Sequence, residues 1–441
     1  MKVHISVVAA FLLGSGAALA QERVPDSERI ADLERRLRAI EADKLAEEDA
    51  PAGFDEWLRR IRISGSANVG YFDGRENSPV GEGTFNVWDA RLFLEADLGH
   101  DVMIGSCRAI RDMRFLFEWD AVRIARFDNM IGELYVEFSG IADTGWLNLR
   151  VGRFQVPIGE NYLRFSQGYK DNPFISNTVG GTWYWDEGLR LHGATEDGRY
   201  GYFASLVDGE TDLNLETDRE KEVTLKLFAE PLEWLHLSVS GARAGEVGTG
   251  SVPGFGSLWF GEMAPTGIGA FTSVPTFQDG AAVPDGPPQV EDVHLVAADA
   301  ILDFERAARL WLAGGIIDLD AERSSAYDRE VKYWIAELVL RGSLVSDSIE
   351  PLYLGLRADG VGTYDRNEGY LHDFRLLSTL GYNVKSVEQG SIVAGWRVNE
   401  HVTIKAQYTF ADVGVVRGAT AAIRDAAEAM DFFAIEVAAS F

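Results

Sequence analysis

A set of basic side chains shares a spacing that could act on charged solutes. Arg60, Arg62, Arg91, Arg114 and Arg150, and later Arg341, Arg357, Arg397 and Lys405, fall on the polar side of stretches in which apolar and polar residues alternate. Residues two apart project from one face of a strand, so these cations face the same way as Asp89, Glu95, Glu118 and Glu137. A row of guanidiniums opposed by carboxylates sets a transverse field in water, and such a field biases the passage of charged solutes. For any single arginine the plainer role is a salt-bridged wall residue, so the expectation rests on the group.

A second cluster lies in the long connection 156–185, which carries Glu160, Arg164, Tyr169, Lys170 and Asp171 among many aromatics, including Tyr162, Phe165, Phe174, Trp183, Tyr184 and Trp185. That length exceeds a plain turn. Folded inward, it would constrict a lumen; the alternative is an outer loop packed on a neighbouring subunit. The 245–290 connection, rich in Gly and Pro, reads as surface cover.

Catalytic chemistry finds little support. His192 and His294 stand on strands without a serine or cysteine nucleophile at recognisable spacing, which leaves an outer-membrane lipid hydrolase as a minor alternative. Gly152 and its neighbours lack the Lys-Ser/Thr ending of a phosphate-cradling loop. One cysteine, Cys107, permits no internal disulfide and no cysteine-based zinc site. No catalytic residue, cofactor or metal is expected. A formal charge of -28 over 441 residues opposes general binding to nucleic-acid phosphates.

The elements that must position the arginines are strands. Alternation is clear in Ile61, Ile63, Gly65, Ala67, Val69 and Tyr71 against Arg62, Ser64, Ser66 and Asn68, and in Met113, Phe115, Phe117 and Trp119 against Asp112, Arg114, Glu118 and Asp120. Such stretches run to about ten residues, enough to cross a bilayer at a tilt. A soluble sandwich would alternate in the same way. Three features favour a transmembrane barrel: a final strand ending on Phe441 with Phe433, Ile435, Val437 and Ala439 on its face, aromatics near strand ends, and connections of alternating length. Strands are expected near 60–73, 85–98, 112–122, 129–139, 146–155, 186–194, 198–207, 220–230, 233–244, 291–304, 307–319, 330–343, 348–361, 391–398, 401–412 and 431–441. With both termini periplasmic, the longest gaps follow odd-numbered strands. The strand-like segment Tyr370 to Lys385 goes to an outer loop to keep the count even, and 99–111 is a long inner turn.

Ahead of the barrel at 59–441, residues 1–20 have the three-part plan of a signal peptide cleaved after Ala20, which implies export. Within 21–58, Ile30, Leu33, Leu37 and Ile40 alternate at spacings of three and four behind a capping Ser27. This is a short coiled-coil helix, read as an oligomer seam or as a tether. The fold class is therefore all-β: a transmembrane antiparallel barrel of sixteen strands preceded by that helix.

The stretch from Val151 to Glu160, V-G-R-F-Q-V-P-I-G-E, followed by Asp186 to Gly193, resembles the V-G-[KR]-F-x-x-P-[FI]-G segment, long third loop and receiving strand of the phosphate-selective porin O and P family. The resemblance is sharpest over 146–193 and the last strands. It implies an outer-membrane, trimeric channel embedded in lipid, a terminal Phe441 presented to the barrel assembly machinery, and a ladder of cations conducting phosphate. The sequence departs from that ladder, because 59–441 holds only six lysines. Its early part is the relatively cationic one: 59–199 carries 16 basic and 20 acidic residues, 200–441 carries 18 and 37. The leading expectation is passive diffusion of small anionic solutes. The main alternative is an envelope-anchoring barrel with a plugged lumen.

Overall fold

The computed structural model describes residues 60–74, 83–121, 131–160, 172–176, 178–181, 185–209, 221–244, 290–321, 329–363, 384–415, 417, 420–427 and 431–441, with four short paired segments inside 259–282. Sixteen antiparallel strands close into one barrel in chain order. They are β1 Ile61–Gly74, β2 Thr84–Ile104, β3 Cys107–Asp120, β4 Ile131–Ser139, β5 Asn148–Gln155, β6 Trp185–Ala194, β7 Tyr200–Val207 and β8 Glu222–Leu232. The second half comprises β9 Leu235–Ala244, β10 Val290–Asp303, β11 Ala308–Ala321, β12 Arg329–Arg341, β13 Leu352–Thr363, β14 Val384–Arg397, β15 Val402–Val415 and β16 Phe432–Ser440. One short helix, α1 Ala421–Ala427, lies between β15 and β16. The signal-peptide and coiled-coil segments lie outside the described residues.

The alternation builds an inside-out wall. In β8, Glu222, Thr224 and Lys226 are buried, while Val223, Leu225 and Leu227 are exposed. The same inversion holds in β13, where Tyr353, Arg357 and Asp359 are buried and Leu352, Leu354 and Leu356 exposed. A sandwich would hide its apolar row; here that row is the outer surface, the arrangement of a lipid-facing band. Exposed Trp146, Tyr200, Trp234 and Trp396 sit at or beside the short turns, where interfacial aromatics belong.

Closure falls on the final residues. β1 pairs with β16 from Ser66↔Ser440 to Gly74↔Phe432, and Gly65 and Phe441 exchange both backbone hydrogen bonds at 3.0 Å. A Cβ on Gly65 would meet the Phe441 ring at 2.7 Å and the Arg91 carbonyl oxygen at 2.7 Å. Only glycine lets the last side chain lie over the seam.

Two expected boundaries are corrected. The stretch 99–111 is not a long turn: β2 and β3 extend through it and are joined by Gly105 and Ser106 alone. Register shifts at Asp97/Gly99 and Val102/Met103 break the two-residue period there, and Asp101 takes a left-handed φ of 51°, so alternation is lost while pairing continues. Ion pairs stabilise this extension: Arg108 meets Asp101 at 2.8 Å, and Arg108 and Arg111 both meet Asp143 at 3.1 Å. The hydrogen bond from Arg111, then that from Arg108, holds the Asp143 carboxyl below its usual range. The second correction is β14, which begins at Val384 rather than near 391. Lys385 therefore belongs to a strand, and most of the segment from Tyr370 lies outside the described residues.

Candidate functional site

The inner face of β2 to β6 carries the first charge network. Arg91 Nε lies 2.8 Å from Asp89, its Nη1 2.6 Å from Glu118 and its Nη2 3.8 Å from Asp120. Arg150 Nη2 lies 2.6 Å from Glu137 and its Nη1 3.6 Å from Glu133, with its guanidinium 3.6 Å from the Tyr135 ring centroid. Each guanidinium is thus matched by carboxylates at hydrogen-bond distance, which largely cancels its charge toward the lumen. Arg62 is the register partner of Glu95, and Arg114 of Asp97 and Glu137. Both arginines share the inward parity but are exposed, on the side where the strands join the short turns. Arg60 is exposed immediately before β1.

The remaining predicted cations divide differently. Arg341 pairs with both Asp303 oxygens, at 2.7 and 3.1 Å, beside the turn that follows β12. Arg397 lies 5.8 Å from the Tyr353 ring. Arg357 and Lys405 are buried and hold the loop between β5 and β6. Arg357 Nη2 donates to the Ser176 carbonyl at 2.6 Å and to its hydroxyl at 2.7 Å. Lys405 Nζ donates to the Phe174 carbonyl at 3.3 Å and pairs with Glu436 at 2.9 Å.

That loop enters the barrel. At its start, Gly159 N–H donates to Ser240 Oγ at 3.0 Å on β9, and Glu160 N–H to Asp299 Oδ1 at 3.2 Å on β10. The Glu160 carboxylate, buried, meets Lys226 Nζ at 2.8 Å and His236 Nε2 at 2.7 Å. Farther on, Ile175 N–H donates to Gln407 Oε1 at 2.6 Å, Tyr353 OH to the Pro173 carbonyl at 2.8 Å, and Val179 N–H to Asp359. Val156, Ile158, Ile175 and Val179 pack with inward apolar residues of the later strands, among them Val293, Leu295, Ile317, Val331 and Tyr333. Burial of these side chains and satisfaction of the loop's N–H groups explain why the chain turns inward. Arg164, Tyr169, Lys170 and Asp171 lie outside the described residues.

Several inward groups escaped the sequence reading. Lys226 shares the parity of the buried Glu222 and Thr224, Arg309 shares that of the buried Trp311 and Ile317, and Arg309 pairs with Glu337 at 3.1 Å. Arg190 alternates with Leu189 and Leu191, a signal legible in principle. Arg153 has the opposite parity, pairs with Glu187 at 2.9 Å and donates to the Gly132 carbonyl at 3.0 Å. Between Arg150 and Arg153, Gly152 holds a φ of 129° where a Cβ would lie 2.3 Å from the Leu134 carbonyl oxygen, so β4 and β5 meet closely there. The two histidines weighed for catalysis stand apart: His192 has inward parity and stacks on Phe203, whereas His294 is exposed on the outward face of β10.

No family model matches the chain, and no curated protein sequence matches it significantly; the similarity to phosphate-selective porins over 146–193 stays a likeness of local motif. Solved structures share the fold. The trimer form of OmpT, an outer membrane protein of Vibrio cholerae, aligns with 86% of this chain and 99% of its own at 9% identity and a TM-score of 0.55. The outer membrane channel DcaP of Acinetobacter baumannii aligns over 86% and 97% at 10% identity and 0.53. OprB of Pseudomonas putida aligns over 88% and 96% at 11% identity and 0.53. The chain thus shares its fold, along nearly the full length of these proteins, with proteins of bacterial outer membranes.

Proposed function

We propose that this protein is a passive diffusion channel of a bacterial outer membrane, passing small anionic solutes through a barrel narrowed by the loop between β5 and β6. The observation that carries the reading is the loop's path: its described stretches hydrogen-bond to the inner faces of β9, β10, β13 and β15. A segment so placed takes up the β9–β15 side of the lumen and leaves the β1–β7 wall beside the remaining space. On that wall Arg91 and Arg150 are paired with carboxylates, while the exposed Arg62 and Arg114 form no ion pair among the described residues and stand available to a passing anion. Selectivity for phosphate finds no support in these pairings, which leave few cations available to a multiply charged ion.

The test is the reversal potential of purified protein in a planar bilayer under a KCl gradient. Ohmic steps with weak anion preference are expected; strong cation preference would overturn the charge assignment. The buried apolar cluster between the loop and the later strands favours one other reading, a structural barrel with a closed lumen. Electrical silence from protein that keeps heat-modifiable gel mobility would establish it. No step of either reading is catalytic.

The apolar outer band supports residence in the outer membrane, with residues 1–20 as the cleaved export signal and Phe441 as the feature met by the assembly machinery. Homotrimerisation through Ile30, Leu33, Leu37 and Ile40 completes the proposal. Leu33→Asp with Leu37→Asp should then weaken trimers on native gels and leave the barrel folded; unchanged trimers would reduce the segment to a tether.

A further inference from the structure

Arg190 differs from the other buried cations of the barrel. Among the described residues, Arg91, Arg153, Lys226, Arg309, Arg357 and Lys405 are each buried and each pair with a carboxylate. Arg190 is 5% exposed, and its Nε has no hydrogen-bond partner. Among the described residues, no side chain forms an ion pair with it. Its register partner is Arg150, whose carboxylate Glu137 is already engaged by two hydrogen bonds at 2.8 and 2.6 Å.

Rings fill the space where an acid would be expected. The Arg190 guanidinium lies 5.4 Å from the Phe154 centroid and 5.4 Å from that of Phe203. From Phe203 an aromatic row continues along the inner face: His192 on β6 stacks at 5.8 Å and 14°, Phe228 on β8 lies at 5.8 Å, and His236 on β9 stacks on Phe228 at 5.9 Å and 17°. Phe203 and Phe228 remain partly exposed. Ring faces attract a guanidinium, yet they accept none of its in-plane N–H bonds. A buried donor without an acceptor is costly, so the Arg190 Nε favours an acceptor supplied from the lumen.

The geometry points to Arg190, with Phe203 and Phe228, as a binding subsite for an aromatic monocarboxylate. A carboxylate matches the planar donor fork of arginine, and a flat apolar body on the same molecule finds the aromatic row. One unpaired cation beside Glu133 and Glu137 suits a single negative charge and opposes a multiply charged anion. The assignment rests on the channel reading for its role in transport, because the ligand meets the subsite from the aqueous side of the inner wall.

Benzoate, acetate and inorganic phosphate are the probes, each titrated calorimetrically into detergent-purified protein and added to bilayers carrying KCl current. Benzoate is expected to bind and to interrupt the current at concentrations well below those needed for acetate or phosphate. Arg190→Gln should weaken benzoate about tenfold or more, and Phe203→Leu should reduce the preference for benzoate over acetate several-fold. Arg190→Lys, which keeps the charge and loses the fork, should fall between. Should Arg190→Gln fail to fold by heat-modifiable mobility, Phe203→Leu and the wild-type benzoate-to-acetate ratio decide. Equal binding of acetate and benzoate, tighter binding of phosphate, or unchanged benzoate binding in the variants would overturn the subsite. Conductance steps without benzoate binding remove the subsite and keep the channel. Calorimetric binding lost in Arg190→Gln from a silent barrel does the reverse.

Discussion

Arg91 illustrates how neutral a row of arginines becomes once folded. Its three carboxylate neighbours, Asp89, Glu118 and Asp120, outnumber it. Removing the guanidinium therefore does more than subtract one positive charge, because it leaves buried acids unpaired. Arg91→Ala should shift the reversal potential toward cations and lower stability by about 3 kcal/mol, the usual loss when one member of a buried pair is deleted. Adding Glu118→Gln should return part of both effects, read by bilayer recording and by denaturant titration of folded barrel. A shift of the same size in both variants would mean that Arg91 acts as an isolated charge. Parity in the sequence placed Arg91 and Arg150 on the inner face, since each alternates with large apolar residues. It could not reveal their partners, because ion pairing across β2–β3 and β4–β5 depends on register and rotamer rather than on spacing.

At the scale of elements, the loop between β5 and β6 depends on a few side chains of the far wall. Gln407 is the most heavily used: its carbonyl accepts from Ile175 N–H at 2.6 Å, and its amide donates to Ser176 Oγ at 2.6 Å and Thr409 Oγ1 at 2.7 Å. Gln407→Leu fills similar volume but leaves the buried Ile175 N–H without its acceptor, a cost of about 1–3 kcal/mol. The expected outcome is a folded barrel with larger, noisier conductance steps as the loop detaches. Wild-type conductance in this variant would show that other contacts suffice, among them the Arg357 and Lys405 bonds to the Ser176 and Phe174 carbonyls. The strands themselves were legible because period two persists wherever one face meets lipid and the other water. It failed where bulges at Asp97/Gly99 and Val102/Met103 put neighbours out of phase. The loop's aromatic content hinted at burial, yet its landing points on β10 and β15 are contacts over 139 and 232 residues of chain that no local pattern encodes.

For the whole molecule the decisive feature is closure, which leaves the sheet without an open edge. The Phe441 ring lies over Gly65, so the seam has room for hydrogen at that position and nothing larger. Gly65→Val should lower the yield of heat-modifiable barrel in the outer membrane as strongly as deletion of Phe441, with export unaffected. Normal folded yield from either variant would show that the seam tolerates an open end.

The pairing of Ser66 with Ser440 also sets an order of events. Every other pairing in the barrel joins strands consecutive in the chain, but β1 waits for the last strand to arrive before its second edge finds partners. Until then the chain is an open sheet or no sheet at all, with an adhesive first edge. Loop-closure entropy over nearly its whole length makes that final step slow. Insertion and sealing are better viewed as one late, concerted event than as strands laid down one after another.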